Sequence, residues 1–213
     1  MNQTQVVELI NDLKAVVAKS EKYSAQEVNT EPKPRLIIDT HGDKRYFLND
    51  VLHNLDGPAI EYFNGYKAYY INGKCHREDG PAVEYTNGDK EYYIDGKRHR
   101  EDGPAVERTN GDKYYYIDDK RHRVDGPAIE YADGYKAYYS NNKCHREDGP
   151  AIEYANGYKA YYIDDKLHRE DGPAVEGGNI IEYYLDGVKY SKEDYLKQPA
   201  VIAKLVEKFS DQF

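Results

Sequence analysis

The sequence has no tryptophan, one methionine, four phenylalanines and two cysteines. No run approaches the ~18 apolar residues of a membrane-crossing helix, so none is expected. The start, MNQTQVVELINDLK, has neither a basic n-region nor an apolar h-region. No secretory signal is therefore predicted, and a cytoplasmic protein is expected. Hydrophobic residues make up 39%, thin for one large core. Against these shortages stand 24 tyrosines in 213 residues. Disordered chains are poor in aromatics, so the aliphatic deficit does not mean disorder. Lys+Arg number 30 and Asp+Glu 39, a net charge of −9.

What is present is a repeat. Asp-Gly-Pro-Ala occurs six times, at Asp56, Asp79, Asp102, Asp125, Asp148 and Asp171, always 23 residues apart. A histidine precedes each aspartate by three residues: His53, His76, His99, His122, His145 and His168. A degenerate copy opens the array at 36–53, and a shortened one closes it at 174–190. Fixed periods of this length mark repeat architectures.

Each unit reads as a β-hairpin. Ala82-Val83-Glu84-Tyr85 and Lys90-Glu91-Tyr92-Tyr93-Ile94 are strands flanking Asn87-Gly88, and a second turn follows at Asp95-Gly96. Asn-Gly predicts a two-residue type I′ turn. That register places Glu84, Glu91, Asp89 and Tyr93 on one face, and Tyr85, Val83, Lys90 and Tyr92 on the other. Stacked units then form two tyrosine ladders on opposite faces. One is Tyr46, Tyr69, Tyr92, Tyr115, Tyr138 and Tyr161; the other is Phe47, Tyr70, Tyr93, Tyr116, Tyr139 and Tyr162. The expected fold is an all-β repeat: an elongated, twisted, single-layer antiparallel meander of about seven 23-residue hairpin units with N- and C-terminal helices.

The predicted divisions are an N-terminal helix (1–23), a linker (24–35), the hairpin array (36–190) and a C-terminal helical cap (191–213). The first helix has an apolar stripe of Val6, Leu9, Ile10, Leu13, Val16 and Val17. It is read either as an end cap or as a surface for a partner or a homodimer. Ser191 is expected to cap a short turn, and Pro199 to open a helix over 199–210 with Val201, Ile202, Leu205 and Phe209 on its stripe.

The pattern Tyr85-Thr86-Asn87-Gly88 … Tyr93-Ile94-Asp95-Gly96-Lys97-Arg98-His99 resembles the MORN and MORN-variant β-hairpin repeats. The resemblance covers about three quarters of the chain. It departs from the usual pattern in carrying His-Arg-Glu-Asp-Gly-Pro where the family often has His-Gly. Repeats with that signature look like those in proteins of large DNA viruses and bacteriophages. The resemblance implies a non-catalytic scaffold or binder of viral or phage origin, acting in a host cytoplasm.

Residue chemistry points away from an enzyme. The six His-x-x-Asp sets are spread along the array, and each offers one histidine where zinc needs three or four convergent ligands. They read as turn motifs, with no catalytic residue, metal or cofactor site. Cys75 and Cys144 are three units apart, ~29 Å at two strand spacings per unit, too far for a disulfide. Residues 33–190 carry 23 Lys/Arg and 30 Asp/Glu, net −7. Direct nucleic-acid binding wants a basic stripe, and an anionic membrane surface is disfavoured likewise.

Comparison between units separates what builds a unit from what is free to vary. The residue after the turn glycine is Tyr66, Asp89, Asp112, Tyr135 or Tyr158. Two further on stand Ala68, Glu91, Tyr114, Ala137 and Ala160. The Tyr85 position becomes Arg108 in one unit and Gly177 in the last. Candidate partner-binding residues are therefore Tyr66, Arg108, Tyr114, Tyr135 and Tyr158, with the ladder Tyr70, Tyr93, Tyr116, Tyr139 and Tyr162. The favoured reading is a repeat module binding a host-encoded protein, including a defence factor it would inhibit. Two others stay open: an acidic mimic filling a nucleic-acid channel, and a structural spacer whose helical ends bind.

Overall fold

The structure, a computed structural model, describes Leu13, Lys14, Val17 and residues 32–210. The chain divides into two compact units, Met1–Pro34 and Arg35–Phe213. In the first, Leu13, Lys14 and Val17 are helical and exposed. The rest of the predicted N-terminal helix, including Val6, Leu9, Ile10 and Val16, lies outside the described residues, as does most of the linker.

The second unit is the repeat array, antiparallel throughout. Among the described residues, 16 strands form one continuous sheet and ten more form five two-stranded ribbons. One unit shows how. Val83–Glu84 pairs with Lys90–Glu91, which pairs in turn with Val106–Glu107 of the next unit. The chain then bends at Tyr92, whose N–H donates to the Ala105 carbonyl at 2.8 Å. Beyond the bend, Tyr93–Ile94 pairs with Lys97–Arg98 as a separate ribbon. Neighbouring ribbons are joined by backbone bonds, Gly96 N–H to the Cys75 carbonyl at 2.8 Å and Arg77 N–H to the Tyr93 carbonyl at 3.0 Å. Short strands suffice because nearly every bend donor finds a neighbouring unit's carbonyl.

The register corrects the expected turn. Glu84 lies opposite Lys90 and Val83 opposite Glu91, one residue away from the two-residue hairpin. The loop is three residues long: Tyr85 N–H donates to the Asp89 carbonyl at 3.0 Å, and Gly88 N–H to the Tyr85 carbonyl at 2.9 Å. Gly88 alone has positive φ, +89°. This is a type I turn closed by a glycine bulge. The Asn87 side chain favours it by accepting the Asp89 N–H at 3.1 Å. The type I′ turn occurs instead at the second turn, where Asp95 (φ 50°) and Gly96 (φ 81°) are both left-handed. Without glycine there, Asp118-Asp119, Asn141-Asn142 and Asp164-Asp165 take the same conformation, which Asn and Asp tolerate best among non-glycine residues.

A one-residue shift exchanges faces for a whole strand. Val83 and Tyr85 therefore share a face with Asp89, Glu91 and Tyr93, while Glu84, Lys90 and Tyr92 lie opposite. The interior of the array is small-residue packing. Ala59, Ala82, Ala105, Ala128, Ala151 and Ala174 of the Asp-Gly-Pro-Ala corners are fully buried, beside Val83, Val106, Ile129 and Val175. Chains of alanine and valine between tyrosines replace a large aliphatic core.

The C-terminal end is closed by two helices, α1 (Lys192–Tyr195) and α2 (Pro199–Ser210). Ser191 caps the first, its Oγ accepting the Asp194 N–H at 3.1 Å. Tyr195 and Val201 pack with Leu185 in a cluster flanked by Tyr183, Tyr190 and Leu205. The Tyr195 hydroxyl donates within reach of the Arg169 and Gly172 carbonyls (2.8 and 2.9 Å) and accepts the Gly172 N–H at 3.1 Å. It thus satisfies the last corner, which has no following unit. Ile202 and Phe209, expected on the buried stripe, are exposed; Val201 and Leu205 alone of that stripe face the sheet.

Candidate functional site

The two faces of the sheet have different chemistry. The first is built from residues that recur in most units. Arg100 places its guanidinium carbon over the Tyr92 ring, 4.0 Å from the ring centre. Its Nε donates to Asp102 at 2.8 Å, and its Nη1 to the Pro104 carbonyl at 3.3 Å and Glu107 at 2.7 Å. Arg77, Arg123, Arg146 and Arg169 stack on Tyr69, Tyr115, Tyr138 and Tyr161 at 3.9 to 4.0 Å. Each reaches the proline carbonyl and the glutamate of its own corner. The corner glycine leaves room for this packing: a Cβ on Gly103 would stand 2.9 Å from the Arg100 Cζ, and the guanidinium would have to shift. In the first unit Asn54 replaces the arginine and keeps only the bond to its proline carbonyl, at 3.0 Å.

The histidines join the ribbons. Nδ1 of His53, His76, His122, His145 and His168 accepts the backbone N–H of Asn72, Asp95, Asn141, Asp164 and Asp186 at 3.1 to 3.3 Å. His99 Nδ1 lies 3.1 Å from Asp118 Oδ1. No group of three or more His, Cys, Asp or Glu among the described residues is placed to hold a metal. Open troughs recur between successive corners; one of about 600 Å³ is lined by Arg146, Asp148, Tyr161, His168, Asp171 and Lys204. They repeat with the lattice and are made of its members.

The opposite face carries the positions that vary. Tyr62, Tyr66 and Tyr85 form a run of rings with centres 5.2 and 5.7 Å apart. Tyr114, Tyr131, Tyr135, Tyr154 and Tyr158 form a second run, at 5.8, 4.9, 4.8 and 5.4 Å. Mostly edge-to-face or tilted, these are favourable aromatic geometries. Between the runs lies an ionic break. Arg108 approaches the Tyr85 ring at 5.9 Å and pairs with Asp89 at 3.3 Å and Glu91 at 2.9 Å. Glu91, only 8% exposed, also accepts the Tyr93 hydroxyl at 2.8 Å.

The variable positions are coupled. Where tyrosine follows the turn glycine, alanine stands two residues on: Tyr66 with Ala68, Tyr135 with Ala137, Tyr158 with Ala160, and these alanines are buried. Where aspartate follows it, the second residue is large, Glu91 or Tyr114. The run ends at Gly177, where a Cβ would lie 2.5 Å from the Tyr158 Cα at φ +152°.

The structure thus places Tyr66, Arg108, Tyr114, Tyr135 and Tyr158 in one row. Tyr70, Tyr93, Tyr116, Tyr139 and Tyr162 form a parallel row in the ribbons, opposite Cys75, Arg98, Arg121, Cys144 and Leu167. Arg98 lies 4.2 Å over Tyr116 and Arg121 5.3 Å over Tyr139. Sequence reasoning took Arg108 from this position because it varies there and left out Tyr62, Tyr85, Tyr131 and Tyr154, which share the position. It left out Arg121 as well.

Burial raises the phenols of Tyr66, Tyr114 and Tyr135 to about 12. Tyr93 is raised by burial and by its bond to Glu91. Burial also pushes the Cys75 and Cys144 thiols up to about 12. Both cysteines are free, and neither is an activated nucleophile. No helix among the described residues is long and apolar enough to cross a membrane. No protein-family model matches this chain, and no curated protein matches it in sequence.

Proposed function

We propose that the array is a non-catalytic module that binds a protein partner through its tyrosine face. The observation that carries this reading is the segregation of variation. Positions that differ between units converge on one face as a row of half-exposed tyrosines broken by Arg108, while the repeated positions make the opposite lattice. Tyrosine and arginine are the residues that dominate interface energetics. The resemblance of the His-Arg-Glu-Asp-Gly-Pro repeats to those of large DNA viruses and phages makes the proposed partner a host protein, including a defence factor. Nucleic-acid mimicry is the weaker reading. A mimic needs carboxylates free to present their charge, and Glu84, Glu107, Glu130, Glu153 and Glu176 are each engaged by an arginine.

The test is affinity capture from host lysate with the full chain and two sets of variants, read by mass spectrometry. Tyr135→Ser with Tyr154→Ser is expected to lose a stoichiometric partner that Lys90→Ser with Lys113→Ser, on the lattice face, retains. Equal capture by both sets, or no stoichiometric partner for the unaltered chain, would overturn the proposal.

A further inference from the structure

Arg121 is the one arginine among the described residues with no ion-pair partner, and its Nε is buried without an acceptor. Its counterpart one unit earlier explains why. Asp119 Oδ1 accepts both the Arg98 N–H at 3.1 Å and the Arg98 Nε at 3.0 Å. In the next unit Asn142 occupies that place. Its Oδ1 accepts the Arg121 N–H at 2.7 Å, so the backbone bond is kept and the charge is not. Asp165 makes the same backbone bond to Cys144 N–H at 2.8 Å. The fold therefore accepts Asp or Asn here, and Asn leaves the guanidinium unneutralised.

Arg121 lies beside the longer tyrosine run. It sits over Tyr139. Burial raises the Tyr139 phenol, with Cys144, Asp165 and Tyr131 adding to the rise and Arg121 opposing it; burial raises Tyr135, with Tyr139, Tyr154 and Tyr131 adding to it. An unpaired cation next to stacked aromatic rings selects an oxyanion carried beside an apolar group. We infer that Arg121 anchors an acidic side chain of a polypeptide partner, an Asp or Glu whose neighbours lie on the Tyr131–Tyr135–Tyr154 rings. The surrounding array carries net −7 over residues 33–190, which opposes a doubly charged phosphate more than a singly charged carboxylate. This anchor rests on the reading of the tyrosine face as the partner surface.

The test is a titration followed on arginine Nε–Hε cross-peaks by nuclear magnetic resonance. The probes are 4-hydroxyphenylacetate, its neutral amide and phenyl phosphate, each to ~20 mM, which fills a ~1 mM site. The carboxylate is expected to shift Arg121 and leave Arg98 in place, and the amide to shift neither. Asn142→Asp supplies the missing internal carboxylate and should abolish the Arg121 response with the fold intact. Asp119→Asn should confer a response on Arg98. An unmoved Arg121, an equal response in Asn142→Asp, or tighter binding of phenyl phosphate overturns the inference. In the capture experiment, loss of the partner with the tyrosine variants but not with Asn142→Asp retires the anchor and leaves the binding face. Loss with neither retires both.

Discussion

The two faces of the sheet are made by the same strands and divide the work differently. On one, each arginine stacks on a tyrosine and is held by a carbonyl and one or two carboxylates. Such a site tolerates little change, because every member closes on its neighbours. On the other, a tyrosine with an alanine in one unit is replaced by an aspartate with a glutamate or tyrosine in another. That face is built from exchangeable pairs. The difference teaches that identity between units reports the lattice, and variation reports the surface left open to a partner.

The largest expected effect breaks the lattice. Arg100→Ala removes the stack on Tyr92 and the bonds to Pro104 and Glu107, half-buried interactions together worth about 2–3 kcal/mol, the exposed pair with Asp102 adding little. Arg121→Ala, on the other face, removes a guanidinium with no carboxylate, and its cost should stay below about 1 kcal/mol. Urea unfolding of the two variants checks the contrast. Equal losses would mean that the faces do not differ in this way.

A smaller effect is expected from closing the break in the tyrosine row. Asp89→Tyr, Glu91→Ala and Arg108→Tyr together convert the ionic cluster to the Tyr-x-Ala arrangement of the units around Tyr66 and Tyr135. Because the whole cluster is exchanged for a packing the array already uses, stability should stay within about 1 kcal/mol of the unaltered chain. Glu91→Ala alone should cost more, about 1–2 kcal/mol, since it removes the acceptor of the Tyr93 hydroxyl and leaves Arg108 with Asp89 alone. If the single variant is milder than the triple, the units are not exchangeable.

The period, the antiparallel strands and the opposition of the two tyrosine ladders were legible in the 23-residue spacing of Asp-Gly-Pro-Ala. The register was not. Asn87-Gly88 fits a two-residue type I′ turn and a three-residue bulged turn equally well by composition. The choice depends on whether Asn87 or only Gly88 takes positive φ, and the Asn87 side-chain bond to Asp89 N–H decides it. That one residue moved Tyr62, Tyr85, Tyr131 and Tyr154 onto the variable face. The arginine lattice was hidden for another reason. Arg100 meets Tyr92 eight residues back and Glu107 seven ahead, across two chain bends that no periodicity reports. Arg121 could have been found by aligning Asp119, Asn142 and Asp165, once the contact across ribbons was known.

The smallest effect per residue is expected from pH, and it separates the aspartates from the tyrosines by sign. Hydrogen bonds from Arg77, Arg100 and Arg146 lower the carboxyls of Asp79, Asp102 and Asp148 below their usual value. A lowered carboxylate contributes stability above its unfolded value of about 3.9, and loses it as pH falls through the folded value. The phenols of Tyr66, Tyr114 and Tyr135 are raised to about 12 by burial. A raised phenol contributes fully below its unfolded value of about 10, and loses that contribution as pH climbs toward 12. Stability governed by these groups should therefore be flat from pH ~4 to ~10 and fall on both sides. Asp102→Asn should soften only the acid limb, and Tyr135→Phe only the alkaline one. Denaturant midpoints across pH, with tyrosinate absorbance on the alkaline side, measure both. An Asp102→Asn chain that changes the alkaline limb, or a Tyr135→Phe chain that changes the acid one, would show that the two groups do not titrate independently.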